Sequence, residues 1–200
     1  MGANVLHSES IFPVRSAGIP IRICNTFRPE DKGTYIVKRS TRDVSDTVVT
    51  GVAGKRDFTS ITLEKSMMNT EVGFVNKVLS IIGKYGISFE HLPSGIDTMS
   101  LVIDNEFLKP GMLPTLLAEM EQAVNPDKIY AHEDIALVAT VGHGMAKNVG
   151  TSARLFKALS DAHINVNMID QGSSELNIIV GVEGADYAAC IQAIYSEFFN

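Results

Sequence analysis

Residues 68–104, MNTEVGFVNKVLSIIGKYGISFEHLPSGIDTMSLVID, decide the fold because they recur without a gap 77 residues later, as MAKNVGTSARLFKALSDAHINVNMIDQGSSELNIIVG. The identities that fix this offset include Met68 with Met145, Gly73 with Gly150, Ile87 with Ile164 and Gly95 with Gly172. A period this long indicates a duplicated small domain, because solenoid proteins repeat about every 20–50 residues. We call the unit around the first stretch copy one and the unit around the second copy two.

Each copy is predicted to fold as strand, helix, strand, strand and helix. Apolar residues recur at helical spacing from Val72 to Ile82, and Gly86 then supplies the left-handed conformation that ends many helices. Strands are predicted where apolar and polar residues alternate. In copy one the elements are strand 60–64, helix 72–85, strands 87–91 and 98–103, helix 113–124 and strand 128–131; in copy two they are strand 135–141, helix 149–162, strands 164–168 and 176–180 and helix 185–199.

This order is the ferredoxin-like arrangement, an antiparallel sheet with both helices on one face, so the fold class is α+β. The residues predicted to face the helices of copy one are Ile87, Phe89, His91, Met99, Leu101 and Ile103. Copy two lacks a final strand, and an open sheet edge leaves backbone groups without partners. We therefore expect residues 47–54 to complete the second sheet, which makes copy one an insertion inside copy two.

Residues 1–40 lie outside the repeat. Short strands are predicted at residues 19–23 and 34–37, separated by the turn-rich loop 28–33. This segment has too little apolar material to form a domain alone, so we interpret it as the end of something larger.

Composition restricts the class of partner. A net charge of −6 with no cluster of Lys and Arg argues against nucleic acid and against anionic membranes, since both require a basic surface. No segment is long and apolar enough to span a membrane, and the N-terminus does not resemble a signal peptide. Cys24 and Cys190 are far apart and lack metal-ligand spacing, so a reduced cytoplasmic chain with two buried thiols is expected.

Copy two resembles the second ACT domain of aspartate kinases. The resemblance rests on residues 144–150, 153–156, 164–166, Gln171-Gly172-Ser173-Ser174-Glu175 and Asn177-Ile178. Copy one, with Gly73-Phe74 and residues 91–97, resembles their first ACT domain, and residues 5–34 resemble the end of their kinase domain. The resemblance implies a kinase tail and linker at 1–46, ACT domain 1 at 58–133, and ACT domain 2 formed by 47–57 and 134–200.

The resemblance also implies a function. Aspartate kinases phosphorylate the β-carboxylate of L-aspartate with ATP and Mg²⁺, at the start of lysine, threonine and methionine biosynthesis. Their catalytic domain is absent from this sequence, so the chain is expected to hold no cofactor and to be inactive alone. Tandem ACT domains imply allosteric feedback inhibition, a homodimer formed through these domains, and a kinase domain that they regulate in cis or in trans.

ACT domains resemble one another in binding amino acids at the loop between the first strand and the first helix. Free N–H groups at a helix start bind carboxylates, and Gly73 would let a ligand come close. The alternative is an ordinary helix start capped by Thr70. The residues expected to bind the effector are Met68, Asn69, Glu71, Val72, Gly73, Phe74, Val75, Ser88, Phe89, Glu90, Ser94, Gly95, Ile96, Asp97 and Thr98.

The carboxylates of copy one suggest which amino acid binds. Glu71, Glu90 and Asp97 become the neutral residues Asn148, Asn167 and Ser174 in copy two. A lysine ligand brings a second ammonium group. A neutral pocket would leave this group without a charged partner, at a cost of several kcal/mol. The hypothesis is that copy one binds L-lysine, with L-threonine as the alternative effector. The other interpretation is that these carboxylates only make the surface soluble.

Copy two is rich in amides and hydroxyls at the corresponding positions. Asn148, Asn165, Asn167, Gln171 and Ser174 suit a neutral polar ligand such as threonine. They suit equally the packing of two sheets through hydrogen-bonded amides, which is the interpretation we favour.

The other motifs give little evidence of a functional site. Gly142-His143-Gly144 imitates a dinucleotide fingerprint, but Lys147 occupies the position of the third glycine. The histidines form no pair at the spacing of metal ligands, so no metal site is expected. Three functions stay open: the regulatory region of an aspartate kinase, a stand-alone amino-acid-binding module acting on a partner in trans, and a dimerisation unit without a ligand. The kinase-like segment 5–37 favours the first over the second.

Overall fold

The computed structural model describes residue 6, residues 8–37 and residues 48–200. The predicted linker at residues 38–46 therefore lies outside the described residues. In chain order the elements are α1 (Ser8–Ser16), β1 (Ile21–Ile23), β2 (Thr34–Ile36), β3 (Gly51–Glu64), α2 (Phe74–Lys84), β4 (Thr98–Asp104), α3 (Met112–Val124), β5 (Lys128–Val141), α4 (Thr151–Asp161), β6 (Met168–Asp170), β7 (Asn177–Glu183) and α5 (Tyr187–Phe199).

One five-stranded antiparallel sheet, in the order β4-β3-β5-β7-β6, carries both copies. The second half of β3 pairs with β4 and with the first half of β5, which gives the sheet of copy one. Residues 51–55 of β3 pair instead with residues 137–141 of β5, beside β7. The segment before copy one thus completes the sheet of copy two, as the insertion hypothesis requires. Both copies have the ferredoxin-like fold.

Two aspartates mark the points where β3 and β5 pass from one copy to the other. Asp57 and Asp134 have positive φ angles of 69° and 59°, and they are related by the offset of 77 residues. The pairing register shifts at the same place. The prediction of separate strands at 128–131 and 135–141 was therefore wrong, because a β-bulge, and not a turn, joins them. The same holds for β3, where only residues 60–64 had been assigned to the first strand of copy one.

Each copy has its own core between its helices and one face of the sheet. In copy one, Ile61 and Leu101 pack against Val78 and Leu116 of α2 and α3. In copy two, Val138 and Val180 pack against residues of α4 and α5. The prediction that Met99, Leu101 and Ile103 face the helices is confirmed.

A third apolar cluster, which we call the shared cluster, lies on the helix-free face and joins the two copies. It consists of Phe58, Val102, Ile135, Leu137, Ala139 and Ile179, with Met168 packed against it. Alternation along β3, β4 and β5 places these residues opposite the two helix-packed cores. Burial on both faces explains why β5 carries the continuous apolar run Ile135-Ala136-Leu137-Val138.

The sheet curls enough to bring its two outer edges together. His91 forms an isolated antiparallel bridge with Val102 beyond β4, at one end of the sheet. Its Nδ1 lies 2.6 Å from a carboxylate oxygen of Asp170 in β6, the strand at the other end. His91 therefore points to the helix-free side and not to the helices as predicted. Phe89, which had been assigned to the same inner face, is exposed.

The predicted helix starts were two residues early in both copies. Helix α2 begins at Phe74 and α4 at Thr151, after Gly73 and Gly150 with φ angles of 83° and 94°. Val72 and Val149 are 96% and 98% exposed, so their apolar spacing does not reflect helix packing. The predicted stop at Gly86 is confirmed by its φ of 67°, and His163 adopts φ of 57° at the equivalent position.

Gly142 allows residues 48–50 to pack closely beside copy two. A Cβ atom at this position would lie 2.2 Å from the carbonyl oxygen of Val48. Val49, which is 3% exposed, joins the core of copy two at this point. The glycine that resembles part of a nucleotide fingerprint therefore serves packing.

The N-terminal segment contains the two short strands that were predicted, paired as β1 and β2. Helix α1 was not predicted. Cys24 is exposed, contrary to the expectation that both thiols are buried, whereas Cys190 is buried. Burial raises the pKa of the Cys190 thiol to about 12, so it stays protonated and inert at neutral pH.

Candidate functional site

The loop between β3 and α2 and the turn before β4 form one surface of copy one, which we call the loop–turn surface (residues 65–74 and 94–98). The backbone N–H of Asn69 donates to the carbonyl of Ile96 at 3.1 Å, and that of Lys65 donates to the carbonyl of Asp97 at 2.8 Å. The carboxylate Oδ1 of Asp97 accepts from the N–H of Met67 at 2.8 Å. These bonds bring the two predicted halves of the effector site together.

The first turn of α2 opens onto this surface. Gly73 precedes the helix in the left-handed conformation, and no side chain caps the helix start. The alternative of a Thr70 cap is therefore wrong, since the Thr70 hydroxyl donates to the Met67 carbonyl instead. An uncapped helix start carries partial positive charge and suits a carboxylate. Met68 and Phe74 are buried beneath the loop and fix its position.

Glu71 is held by two lysines of the chain. Its carboxylate lies 2.5 Å from Nζ of Lys65 and 2.9 Å from Nζ of Lys77. Hydrogen bonds from Lys65 and then Lys77 hold the pKa of Glu71 below its usual value. The carboxylate is thus ionised but already neutralised, which weakens the argument that it holds the ammonium group of an effector. Sequence reasoning did not connect the two lysines with this site, because no local motif joins positions 65, 71 and 77.

The other two carboxylates are exposed. Asp97 uses one oxygen to order the loop, so its second oxygen remains available at the surface. Glu90 lies in the connection between α2 and β4, where its backbone N–H donates to the Val102 carbonyl. Ser88, Ser94, Gly95 and Thr98 are also exposed along this edge, and Val75 is half-buried at the start of α2.

Exposed apolar side chains surround the loop–turn surface. Val72 is almost fully exposed, and Met67 and Ile96 are 67% and 69% exposed. Phe89 stands nearby in sequence with 40% of its surface exposed. Large apolar groups gathered at one edge are typical of a surface that another protein covers.

The corresponding loop of copy two is stabilised differently. The N–H of Lys147 donates to the Glu175 carboxylate at 2.7 Å, and the hydroxyl of Thr151 donates to the carbonyl and the side-chain oxygen of Asn148. Gln171 and Ser174 are exposed within the described chain. The role of these two residues in sheet packing stays a prediction.

Asn165 and Asn167 contribute to a different network. Asn165 donates to Asn167, and Asn167 donates to a Glu183 oxygen at 2.7 Å. Nε2 of His132, which belongs to copy one, lies 3.1 Å from the same carboxylate. Hydrogen bonds from Asn167 and then His132 lower the pKa of Glu183. Asn167 therefore does link the two copies, at the rim of the helix-free face.

Among residues 8–37 and 48–200, no group of three His, Cys, Asp or Glu side chains could hold a metal ion. The described residues include no helix long and apolar enough to cross a membrane.

Comparisons of sequence and of structure both find ACT domains and aspartokinases. A model of the ACT domain matches residues 138–198. Aspartokinase 3 of Bacillus subtilis (strain 168) is 39% identical over 99% of this chain and 43% of that protein. Aspartate kinase from Clostridium acetobutylicum superposes with a TM-score of 0.90 at 49% identity, over 97% of this chain and 45% of that chain.

A third similar structure is E. coli aspartokinase III in complex with lysine and aspartate, in the T-state. Its TM-score is 0.79 at 25% identity, over 98% of this chain and 42% of that chain. The chain spans less than half the length of these relatives. With its duplicated ferredoxin-like fold, the chain is similar over essentially its whole length to the ACT-domain regulatory part of aspartokinases.

Proposed function

We propose that the chain senses an amino acid at the loop–turn surface of copy one and so regulates an aspartokinase catalytic domain, in cis or in trans. The proposal rests on one observation: hydrogen bonds join residues 65–69 to residues 96–97 beside the uncapped start of α2. One surface then offers a helix N-terminus for an α-carboxylate and a carboxylate for an ammonium group.

The proposed effector is L-lysine. Its α-carboxylate would lie at the start of α2, where Gly73 leaves room for it, and Asp97 would accept from an ammonium group through the oxygen that the loop does not use. The relative from E. coli was solved with lysine and aspartate, which supports this choice of ligand class. L-Threonine is the alternative effector, because Asp97 would also serve a single α-ammonium group.

The site is proposed to be completed by a second copy of the chain. Met67, Val72 and Ile96 lie on the loop–turn surface, and their large apolar side chains are mostly exposed in a single copy of the chain. Burying them in a two-fold interface would stabilise the dimer through about 25 cal/mol for each Å² of apolar surface removed from water. An effector held between two copies would bind the paired arrangement more tightly and would bias the attached kinase toward its inhibited state.

Thermal unfolding of the 200-residue chain with each of the twenty amino acids tests the proposal. A ligand present at a hundredfold excess over its dissociation constant stabilises the folded state by about 2.7 kcal/mol. L-Lysine is expected to raise the Tm most, and Asp97→Asn should abolish this rise. Glu121→Gln, an exposed carboxylate on α3, is the matched control and should leave it unchanged. If no amino acid shifts the Tm, the chain is a dimerisation unit and the sensing role is wrong.

A further inference from the structure

A cavity of about 420 Å³ lies on the helix-free face, between the two copies, and none of its lining residues belongs to the loop–turn surface. Strands β3, β4 and β5 of copy one form one wall, and the edge strand of copy two forms the other. The lining residues are Ser60, Thr62, Pro93, Ser100, Val102, Tyr130, His132, Ile135, Asn167, Met168 and Ile169. Its volume is in the range of small-molecule sites, which occupy about 300–1,000 Å³.

The duplication shows how this space arises. Ser60 and Thr62 of copy one correspond to Leu137 and Ala139 of copy two at the offset of 77 residues. The copy-two residues fill the shared cluster, and Leu137 is fully buried there. Copy one has hydroxyl groups at the same sheet positions and leaves the space beside them open. The helix-free face of copy one therefore carries polar groups that copy two lacks at these positions.

The lining has polar groups that suit an uncharged ligand. The hydroxyl oxygens of Thr62 and Ser100 lie 2.9 Å apart, and Ser60, two residues before Thr62 on the same face of β3, is 9% exposed. Burial, with a hydrogen bond to Glu64, raises the pKa of Tyr130, so its phenol stays neutral. No Lys, Arg, Asp or Glu is among the lining residues, so a charged ligand would lack a partner here.

Side-chain contacts join the two walls. The contact of His91 with Asp170 at 2.6 Å joins the outer edges of the sheet, two residues from Pro93 of the lining. The contact of His132 with Glu183 at 3.1 Å joins the copies at the rim, and Asn167 donates to the same carboxylate. The cavity is thus a pre-formed slot in the curled sheet, with apolar residues Val102, Ile135 and Met168 beside its hydroxyl groups.

We propose that this slot is a second ligand site, which takes a small uncharged heterocycle. A flat ring would lie against Val102, Ile135 and Met168, while its polar edge would bond to the hydroxyls of Ser60 and Ser100 and to the amide of Asn167. The proposal does not depend on the amino-acid site, because the slot shares no residue with the loop–turn surface.

The test is protein-observed NMR on the 200-residue chain with uridine, nicotinamide and a library of uncharged heterocyclic fragments at millimolar concentration. At least one probe is expected to shift the backbone amides of Ser60, Ser100 and Asn167 in a saturable manner. If no probe shifts these amides, or if every probe that binds shifts others, the proposal is wrong.

Two variants sharpen the result. Ser60→Leu copies the residue found at the equivalent position of copy two and should fill the slot, so probe affinity should fall by at least about tenfold. Ser160→Leu, at an exposed position of α4, is the matched control and should leave affinity unchanged. Thr62→Val keeps the shape and removes one hydroxyl, and it should also weaken binding if Ser60→Leu fails to fold. Equal affinity in wild type and in these slot variants would overturn the assignment.

Discussion

The two copies share a backbone and differ in the side chains placed on it. Gly73 and Gly150 have nearly the same left-handed conformation, and each follows an almost fully exposed valine. Around this common helix start, copy one carries Asp97 bonded to the loop, whereas copy two uses Glu175 for its own loop. Duplication has therefore kept the geometry of this loop and changed the charge around it. The helix-free face shows a similar contrast. Copy one has Ser60 where copy two has Leu137, which is part of the shared cluster.

The largest effect is expected from the equivalent core positions Ile82 and Leu159, which are 2% and 1% exposed. Replacement of either by Ala should lower the free energy of unfolding by about 2–5 kcal/mol, because each leaves a cavity. Since β3 and β5 run through both copies, each variant should shift one common transition in urea, followed by circular dichroism. Two separate transitions, one per variant, would show that the copies unfold independently.

Gly142→Ala tests the insertion of copy one into copy two. The added Cβ would meet the Val48 carbonyl, so residues 48–50 must move away from the core of copy two. We expect a loss of about 1–3 kcal/mol in the free energy of unfolding. Gly51→Ala is the matched control, since a Cβ there meets nothing within 4 Å, and it should cost much less. Equal losses would contradict the account of how residues 48–55 complete the second sheet.

Gly73→Ala and Gly150→Ala compare the two helix starts directly. Both glycines have positive φ, so each replacement should cost about 1–2 kcal/mol of stability. Only Gly73→Ala should also weaken the rise in Tm that L-lysine produces, because only copy one is proposed to bind it. If only Gly150→Ala loses the rise in Tm with L-lysine, the lysine site lies in copy two and not in copy one.

The smallest effect concerns Glu71, whose counterpart Asn148 cannot titrate. The folded-state pKa of Glu71 lies below its ordinary value near 4.5, so its contribution to stability is present above that value and is lost as pH falls through the folded pKa. Glu71→Gln should therefore flatten the decline of Tm on acidification below about pH 5. If the Tm profiles of the variant and the wild type run parallel, the pairs with Lys65 and Lys77 do not stabilise the fold.

Most of the fold could be predicted because periodicity and repetition are local properties of the sequence. The helices, the ferredoxin-like order and the use of residues before copy one as the last strand all followed from them. The fusion of strands at Asp57 and Asp134 could not be predicted, because an acidic residue with positive φ is compatible with a turn as well as a bulge.

The geometry of the candidate site could be predicted in part. Residues 68–74 and 94–98 do meet, since a repeated loop and turn must lie at the same end of the sheet. The pairing of Glu71 with Lys65 and Lys77, and the contact of His91 with Asp170, depend on side-chain positions across the fold. Val72 was misplaced because its spacing matched the helix although its exposure suits an interface.

Calorimetric titration of L-lysine into the wild-type chain and into Asp97→Asn tests the central claim most directly. We predict saturable binding to the wild type, a loss of at least about tenfold in affinity in Asp97→Asn, and no change in Glu175→Gln, the matched carboxylate of copy two. Binding of L-threonine without binding of L-lysine, or a lysine affinity that depends on Glu175 and not on Asp97, would contradict it.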